Sequence, residues 1–364
     1  MSKHQVLRFS KQQAVGLREI DSPKRELFVT RRMPDAVPSI LGQTAVVICT
    51  RHRPPMVADA VHAVLQDAGV PLRVIVVDQS GRQGDHPLER FVHEPTLLRY
   101  RHAAIGLSRA RNVGIAIAEA LGATVVAFTD DDCIPEAGWL HNIAVEFARS
   151  HDVDLVYGST RPASVQSNRG GAASYVVHHP SSHRGVATKA RLNGMGACMA
   201  VRIAAWRKIG GFDDQLGAGS ELASAEENDL CSRMLLAGFT VTETPSASVI
   251  HHGYREGGEL DTLIAGYMRG SGAAMAKLLR LGGVRSLPCF AVAAARWIRG
   301  ASGVDLPSPP RRMLRLQAFL SGALYGLTAQ IDHRSGRFLP LCGPDDLVAP
   351  ADVMDGGRDL HVPG

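Results

Sequence analysis

The chain has 364 residues, 45% hydrophobic and 21% charged, with a formal net charge of +5. This is ordinary globular composition, long enough for one large α/β domain with appendages. A small positive excess suits a protein that handles anions such as nucleotide phosphates or lipid-linked phosphates. Lys and Arg are spread thinly, with short pairs such as Arg31-Arg32 and Arg311-Arg312, which argues against nucleic acid as a partner.

The cysteines Cys49, Cys133, Cys198, Cys231, Cys289 and Cys342 stand alone, without a CxxC pair. Neither a zinc site nor a disulfide framework is expected, and reduced thiols in a cytoplasmic protein are. The N-terminal MSKHQVLRFSKQQ lacks an apolar signal core. Pro288 to Ile298, the most apolar stretch, contains Arg296 and falls short of the ~18 residues of a spanning helix, so the chain is not expected to cross a membrane.

Residues 1–42 are polar and basic, apart from a strand-like run at Glu26–Thr30, and read as an N-terminal extension. Ala45-Val46-Val47-Ile48-Cys49-Thr50 is short, apolar and β-branched, as a buried parallel strand requires. Pro54-Pro55 then opens a helix, Met56 to Asp67, since the proline's missing N–H would be unpaired in the first turn anyway. Gly69 ends it, and Leu72–Val77 predicts a second buried strand closing at Asp78. His86–Val92 leads to Leu97–Arg101. A helix from Ser108 to Leu121 and a strand at Thr124–Phe128 follow, the latter running into the acidic triplet. Alternation of this kind implies an α/β fold, a mainly parallel sheet with helices on both faces. Ligands of such sheets sit at the carboxyl ends of the strands. Thr50, Asp78 and Asp130–Asp132 all close predicted strands, so three polar ends share one rim.

Beyond residue 150 the alternation loosens. Gly158–Gly185 reads as loop, Met199–Val201 as strand, and Ala204–Ile209 and Glu226–Ala237 as helices. Val241–Thr244 and Ala247–His251 read as two short strands, Asp261 to Arg334 as helices with basic faces, and the remainder as irregular.

Asp130-Asp131-Asp132 is the strongest local signal. Adjacent carboxylates stay ionised together only when solvated or neutralised by a cation, and hard oxygen ligands favour Mg²⁺ or Mn²⁺. In Gly106-Leu107-Ser108-Arg109-Ala110-Arg111-Asn112, Ser108 is a plausible N-cap, and Arg109 and Arg111 put cations in a first turn that itself attracts anions. That suits a nearby nucleotide phosphate or ribose. Glu226, Glu227 and Asp229 crowd acid into the start of another helix, either as a dipole-stabilising device or as chemistry. His251-His252 ends a strand, where metal or phosphate contact is reasonable.

Taken in order, these segments resemble the family 2 glycosyltransferases, which share the GT-A fold. The resemblance runs through VVICTRHRPPMV, VIVVDQS, GLSRARNVGIA, AFTDDDCIPEAGWL, KIGGFDDQLGAG, AEENDLCSRMLLAG and SVIHHG, over roughly residues 44–255. It implies a Rossmann-like catalytic domain at 43–258, with a nucleotide-sugar-binding half (43–135) and an acceptor-binding half (136–258). A helical C-terminal region (259–364) follows.

The resemblance implies site roles as well. Thr50, Arg51, Arg53, Asp78, Arg109, Arg111, Asn112, Asp130 and Asp131 would bind the nucleotide diphosphate sugar. Asp130 and Asp132 match the ends of the DxD motif and, with His251 or His252, would hold Mg²⁺ or Mn²⁺. Glu226-Glu227 stands where the family has Glu-Asp, which makes Glu227 the expected general base, with Glu226 or Asp229 as alternatives. Asp213 and Asp214 would shape the acceptor side. The reaction implied is inverting transfer to a glycan, lipid-linked or small-molecule acceptor, in cell-surface polysaccharide or glycoconjugate synthesis.

Arg285, Arg296, Arg299, Arg311, Arg312 and Arg315 give the C-terminal helices a basic character that suits peripheral contact with an anionic membrane. Two other function classes use the same features. A nucleotidyltransferase would show a glycine- and lysine-rich phosphate loop, which RHRPP is not. A non-catalytic sugar-nucleotide-binding assembly partner would tolerate Glu at 227.

Overall fold

The computed structural model describes residues 39–67, 73–81, 87–163, 170–298 and 312–339, with the side chains of 293–298 and 312 excepted. The N-terminal extension with its Glu26–Thr30 run, Arg299, Arg311, Cys342 and the C-terminal tail lie outside the described residues, as do the side chains of Arg296 and Arg312.

The chain alternates as expected through β1 (Thr44–Thr50), α1 (Pro54–Asp67), β2 (Arg73–Asp78), β3 (Leu97–Arg101), α2 (Leu107–Ala120) and β4 (Val125–Asp130). It continues through β5 (Cys133–Pro135), α3 (Trp139–Arg149), β6 (Val153–Pro162), β7 (Gly170–Gly171), β8 (Ser181–Arg184), β9 (Met199–Arg202) and α4 (Ile203–Lys208). Then come α5 (Glu226–Leu236), β10 (Thr240–His251), β11 (Arg255–Glu256), α6 (Gly257–Gly282), α7 (Leu287–Ile298) and α8 (Arg312–Thr328).

Nine strands form one sheet in the order β3-β2-β1-β4-β9-β6-β10-β5, with β8 also on β10. The first four run parallel, as do β6 and β10, while β9 lies antiparallel between β4 and β6. Successive residues of β1 face opposite cores. Val46 and Ile48 pack with α1 and α3 (Val57, Val61, Ile143), while Ala45 and Val47 pack with α2 and α5 (Ile115, Leu230). Burial on both faces explains why these strands are apolar throughout rather than alternating. Each such side chain is worth about 1.5–3 kcal/mol against exposure. Gly114 lets α2 lie directly on β1, since a Cβ there would meet Val47 Cγ1 at 2.5 Å.

Three expectations are corrected. Strand β6, inside the sheet, lies partly in the stretch expected to be loop. Its Gly158, Ser159 and Thr160 interrupt the apolar run, yet Ser159 and Thr160 are fully buried. Ser159 Oγ accepts from the Val177 N–H at 3.0 Å, and the Thr160 backbone pairs with Tyr175. Val241–Thr244 and Ala247–His251 are one strand, whose register shifts between Glu243 and Ser248. Pro245, which has no N–H to give the ladder, sits in that irregularity. Ser108 does not cap α2, because its hydroxyl donates instead to the Leu216 carbonyl at 2.7 Å.

Among the described residues no helix is long and apolar enough to cross a membrane.

Candidate active site

Register brings the site together. Thr50 pairs with Asp78 and Cys49 with Asp130, so β1, β2 and β4 end on one rim. Beside it lies a cavity of about 620 Å³, within the usual range for small-molecule sites. Of the expected residues, Thr50, Arg51, Arg53, Arg111, Asp130, Asp131, Asp132, Glu226, Glu227 and His251 line it.

The acidic triplet is held from both sides. Thr50 Oγ1 donates to Asp131 at 2.8 Å, and Arg53 Nη1 reaches Asp131 at 3.1 Å and Asp132 at 2.8 Å. Burial pushes the Asp131 carboxyl up to about 6 against the pull of Arg53 and Thr50. Burial acts likewise on Asp132, but the hydrogen bond and charge of His251, with Arg53, bring it down to about 2.

His251 Nε2 stands 3.4 Å from Asp132 Oδ1, and His251 Nδ1 lies 2.8 Å from the Ala173 carbonyl oxygen. A carbonyl can only accept, so Nδ1 carries a proton, and Nε2, which faces Asp132, is the nitrogen at which a cation would take the place of a proton. Gly253 completes a cradle, because a Cβ there would come within 2.4 Å of His251 Nε2 and 2.9 Å of Asp132 Oδ2. Ligand atoms of Asp132, Cys133 and His251 lie within 4.8 Å of one another. The carboxylate and imidazole suit Mg²⁺ or Mn²⁺; burial keeps the Cys133 thiol well above its ordinary pKa and so a poor ligand. The donor set therefore fits a hard divalent cation.

Arg111 is 2% exposed. It donates to Glu226 at 2.8 Å and to Asp130 at 3.0 Å, which ties α2 to α5 and to the end of β4. Burial opposes its charge, but Asp130 and Glu226 hold the guanidinium protonated above the usual arginine range. Its charge is thus committed to two protein carboxylates.

Glu226 and Glu227 open α5 after a bend in which Ala223 (φ 63°) and Ala225 (φ 71°) adopt left-handed conformations. Backbone held there in non-glycine residues stores strain that the surroundings must impose. Burial, then the charge of Glu226, push Glu227 up to about 8 despite Arg111. Asn228 Nδ2 donates to Glu227 Oε1 at 3.0 Å, while Asn228 Oδ1 accepts from Lys189 Nζ at 2.9 Å. An ammonium has only donors, so Lys189 fixes which end of the amide faces Glu227.

Other expected residues stand outside the lining. Asp229 is bound by Arg233 Nε at 2.8 Å and Lys277 Nζ at 2.7 Å, and Lys277 also pairs with Asp213. All four are buried, so Asp229 and Asp213 serve an ion cluster that joins α5 to α6 rather than facing the cavity. Asn112 donates to the Phe212 carbonyl and to Asp214, both at 3.0 Å. Asp78 is buried beneath Arg99 and Ser80, which hold it below its usual range against burial. Arg109 and His252 also lie off the cavity, and the His252 N–H donates to the Asp132 carbonyl at 2.8 Å. Lys189, Asn228, Tyr267, Gly253 and Arg255 line it without having been expected there. For two of them there was a signal: Asn228 stands inside the acidic turn, and Gly253 directly follows His251-His252.

Residues 45–208 match the family model described as Glycosyl transferase family 2. These residues form a glycosyltransferase family 2 domain. Over 189 residues, 50% of this chain, the sequence is 31% identical to the pre-mycofactocin glycosyltransferase of Mycobacterium tuberculosis, in both strain CDC 1551 / Oshkosh and strain ATCC 25618 / H37Rv. The match spans 37% of that relative's length. Among solved structures, the mannosyltransferase PcManGT from Pyrobaculum calidifontis, in complex with GDP-Man and Mn²⁺, is similar with a TM-score of 0.52 at 15% identity. The likeness covers 82% of this chain and 91% of that one. The family 2 domain has the GT-A fold, and its matched segment carries the rim and the acidic triplet but ends before α5 and His251.

Proposed function

We propose that the chain is an inverting glycosyltransferase, with residues 43–258 as its catalytic domain and 259–364 as a helical C-terminal region. It moves a sugar from a nucleotide diphosphate donor to an acceptor hydroxyl. The observation that carries this reading is one cavity shared by the Asp132–His251 pair and a carboxylic acid with a raised pKa, Glu227. Thr50, Arg51 and Arg53 bind the nucleotide side of the donor, while Arg111 keeps Asp130 and Glu226 in register with each other.

Asp132 and His251 hold a Mg²⁺ or Mn²⁺ ion, which when bound neutralises charge on the departing diphosphate. Glu227 accepts the acceptor's proton. The acceptor oxygen bonds to the anomeric carbon as the bond to the diphosphate oxygen breaks, and the electron pair leaves with the diphosphate. A single displacement of this kind inverts the anomeric centre. In its charged form Glu227 is stabilised by Asn228 Nδ2 and Arg111.

We also assign the protein to the cytoplasmic face of a membrane, held peripherally. The supporting observation is exposed Val284 (79%) beside Arg285, exposed Leu287 (52%) at the start of α7 and exposed Leu324 (63%) on α8. Absence of binding to anionic vesicles at low salt counts against it.

The transferase reading is tested with UDP-, GDP- and dTDP-sugars plus Mn²⁺. Release of the nucleoside diphosphate from one nucleotide class, lost in Glu227→Gln, is expected. Release from none overturns the reading.

A further inference from the structure

Helix α6 follows the cavity from end to end. Gly253 and Arg255, just before it, stand at the Asp132–His251 pair. Ser224 Oγ donates to the Gly266 carbonyl at 3.1 Å, which sets the middle of α6 beside the turn that carries Glu226 and Glu227. From Tyr267 to Leu278 the helix then covers about 16 Å at 1.5 Å per residue.

Over that length the lining includes Met268, Ala274, Met275 and Leu278, with the hydroxyl of Ser271 among them, joined by Ala190 and Val292. Met268, Ala274 and Met275 are only half-buried, although they lie on a helix packed against the domain. Lys189, next to Ala190, has its ammonium taken up by the Leu192 carbonyl at 2.8 Å and by Asn228. Val292, which lines the cavity, is itself 36% exposed.

The order along the cavity is therefore cation ligands, acid pair, apolar end. An acceptor hydroxyl beside Glu227 and away from the diphosphate leaves its body in the apolar end. A free oligosaccharide would find few polar partners there. Aromatic stacking would need facing rings, whereas among the described residues Tyr267 is the one Phe, Tyr or Trp in the lining. Methionine and leucine walls adapt to a flexible chain. We propose that the acceptor is an alcohol or glycoside bearing an aliphatic chain that lies along α6 between Tyr267 and Leu278. This rests on the transferase reading and names the class of its second substrate.

Calorimetric titration of the full chain with methyl, octyl and dodecyl β-glucoside below their micelle concentrations, with Mn²⁺ present, tests it. Affinity is expected to rise about three- to fourfold per buried methylene. Met275→Glu should abolish that dependence and Met275→Leu should keep it, with folding followed by circular dichroism. Where Met275→Glu does not fold, the nearly isosteric Met275→Gln replaces it and should weaken the dependence.

Affinity independent of chain length, including no binding at all, overturns the proposal. So does tighter binding of 4-nitrophenyl β-glucoside than of octyl β-glucoside, or an unaltered dependence in a folded Met275→Glu or Met275→Gln protein. Mn²⁺-dependent binding of UDP, GDP or dTDP is titrated alongside. Nucleotide binding without chain-length dependence overturns the aliphatic acceptor alone. Chain-length dependence without nucleotide binding overturns the acceptor assignment together with the transferase reading.

Discussion

Arg111 and Glu226, 115 residues apart in the chain, are joined by a 2.8 Å hydrogen-bonded ion pair at the floor of the cavity, both nearly fully buried. The same guanidinium holds Asp130 at 3.0 Å, so one side chain couples the acidic triplet to the helix bearing the acid pair.

Removing it strands two carboxylates. Breaking a buried pair costs about 3–5 kcal/mol because the remaining charge has no partner, so Arg111→Ala should lose about that much stability in urea denaturation. Arg111→Lys should recover little, since an ammonium cannot span both acids in the same fork. In the double variant with Glu226→Gln the loss should be smaller than the sum of the single losses.

Glu227 predicts opposite pH dependences for activity and stability. A base must be deprotonated, so turnover should rise with pH toward a limb near the value of about 8 to which burial and Glu226 push it. The folded state holds this proton more tightly than the unfolded chain. Its contribution is therefore fully present below the ordinary carboxyl range and is lost as pH rises through about 8. Glu227→Gln should lower turnover by about 10²–10⁴ and flatten both profiles, measured by steady-state kinetics and thermal melts across pH.

Asn228 and Lys189 act on that limb. Loss of the amide donor or of the cation that orients it weakens support for the charged carboxylate, so Asn228→Ala and Lys189→Met should move the activity limb to higher pH. An unmoved limb would show that the Lys189–Asn228–Glu227 chain is structural only.

The sequence made some of this visible and hid the rest for physical reasons. Buried parallel strands are apolar on both faces, so β1, β2 and β4 stood out, and their polar ends Thr50, Asp78 and Asp130 marked the rim. Strand β6 was hidden because its buried Ser159 and Thr160 have their partners in the distant Val177–Tyr175 segment. Arg111 read as a free cation because Glu226, its partner, is 115 residues away. Asp229 looked like one acid of three until Arg233 and Lys277 closed on it. Pattern finds residues whose neighbours are local, whereas ion pairs between distant segments appear only once the chain is folded.

Lys277 should prove as costly to remove as Arg111. It is fully buried between Asp213 and Asp229, so Lys277→Met should destabilise the protein by about 3–5 kcal/mol, read from denaturant midpoints. An unchanged midpoint would mean that the pair contributes nothing net.

The cradle at Gly253 offers the most direct test of the claim that Asp132 and His251 hold a divalent ion. Mn²⁺ binding is followed by loss of the free-ion paramagnetic resonance signal for the parent chain, Asp132→Ala and Gly253→Ala, each with and without UDP or GDP. One saturable site in the parent, tightened by nucleotide and weakened at least about tenfold in both variants, is the predicted result. Equal Mn²⁺ binding by the parent and both variants, or none by any of them, would contradict it.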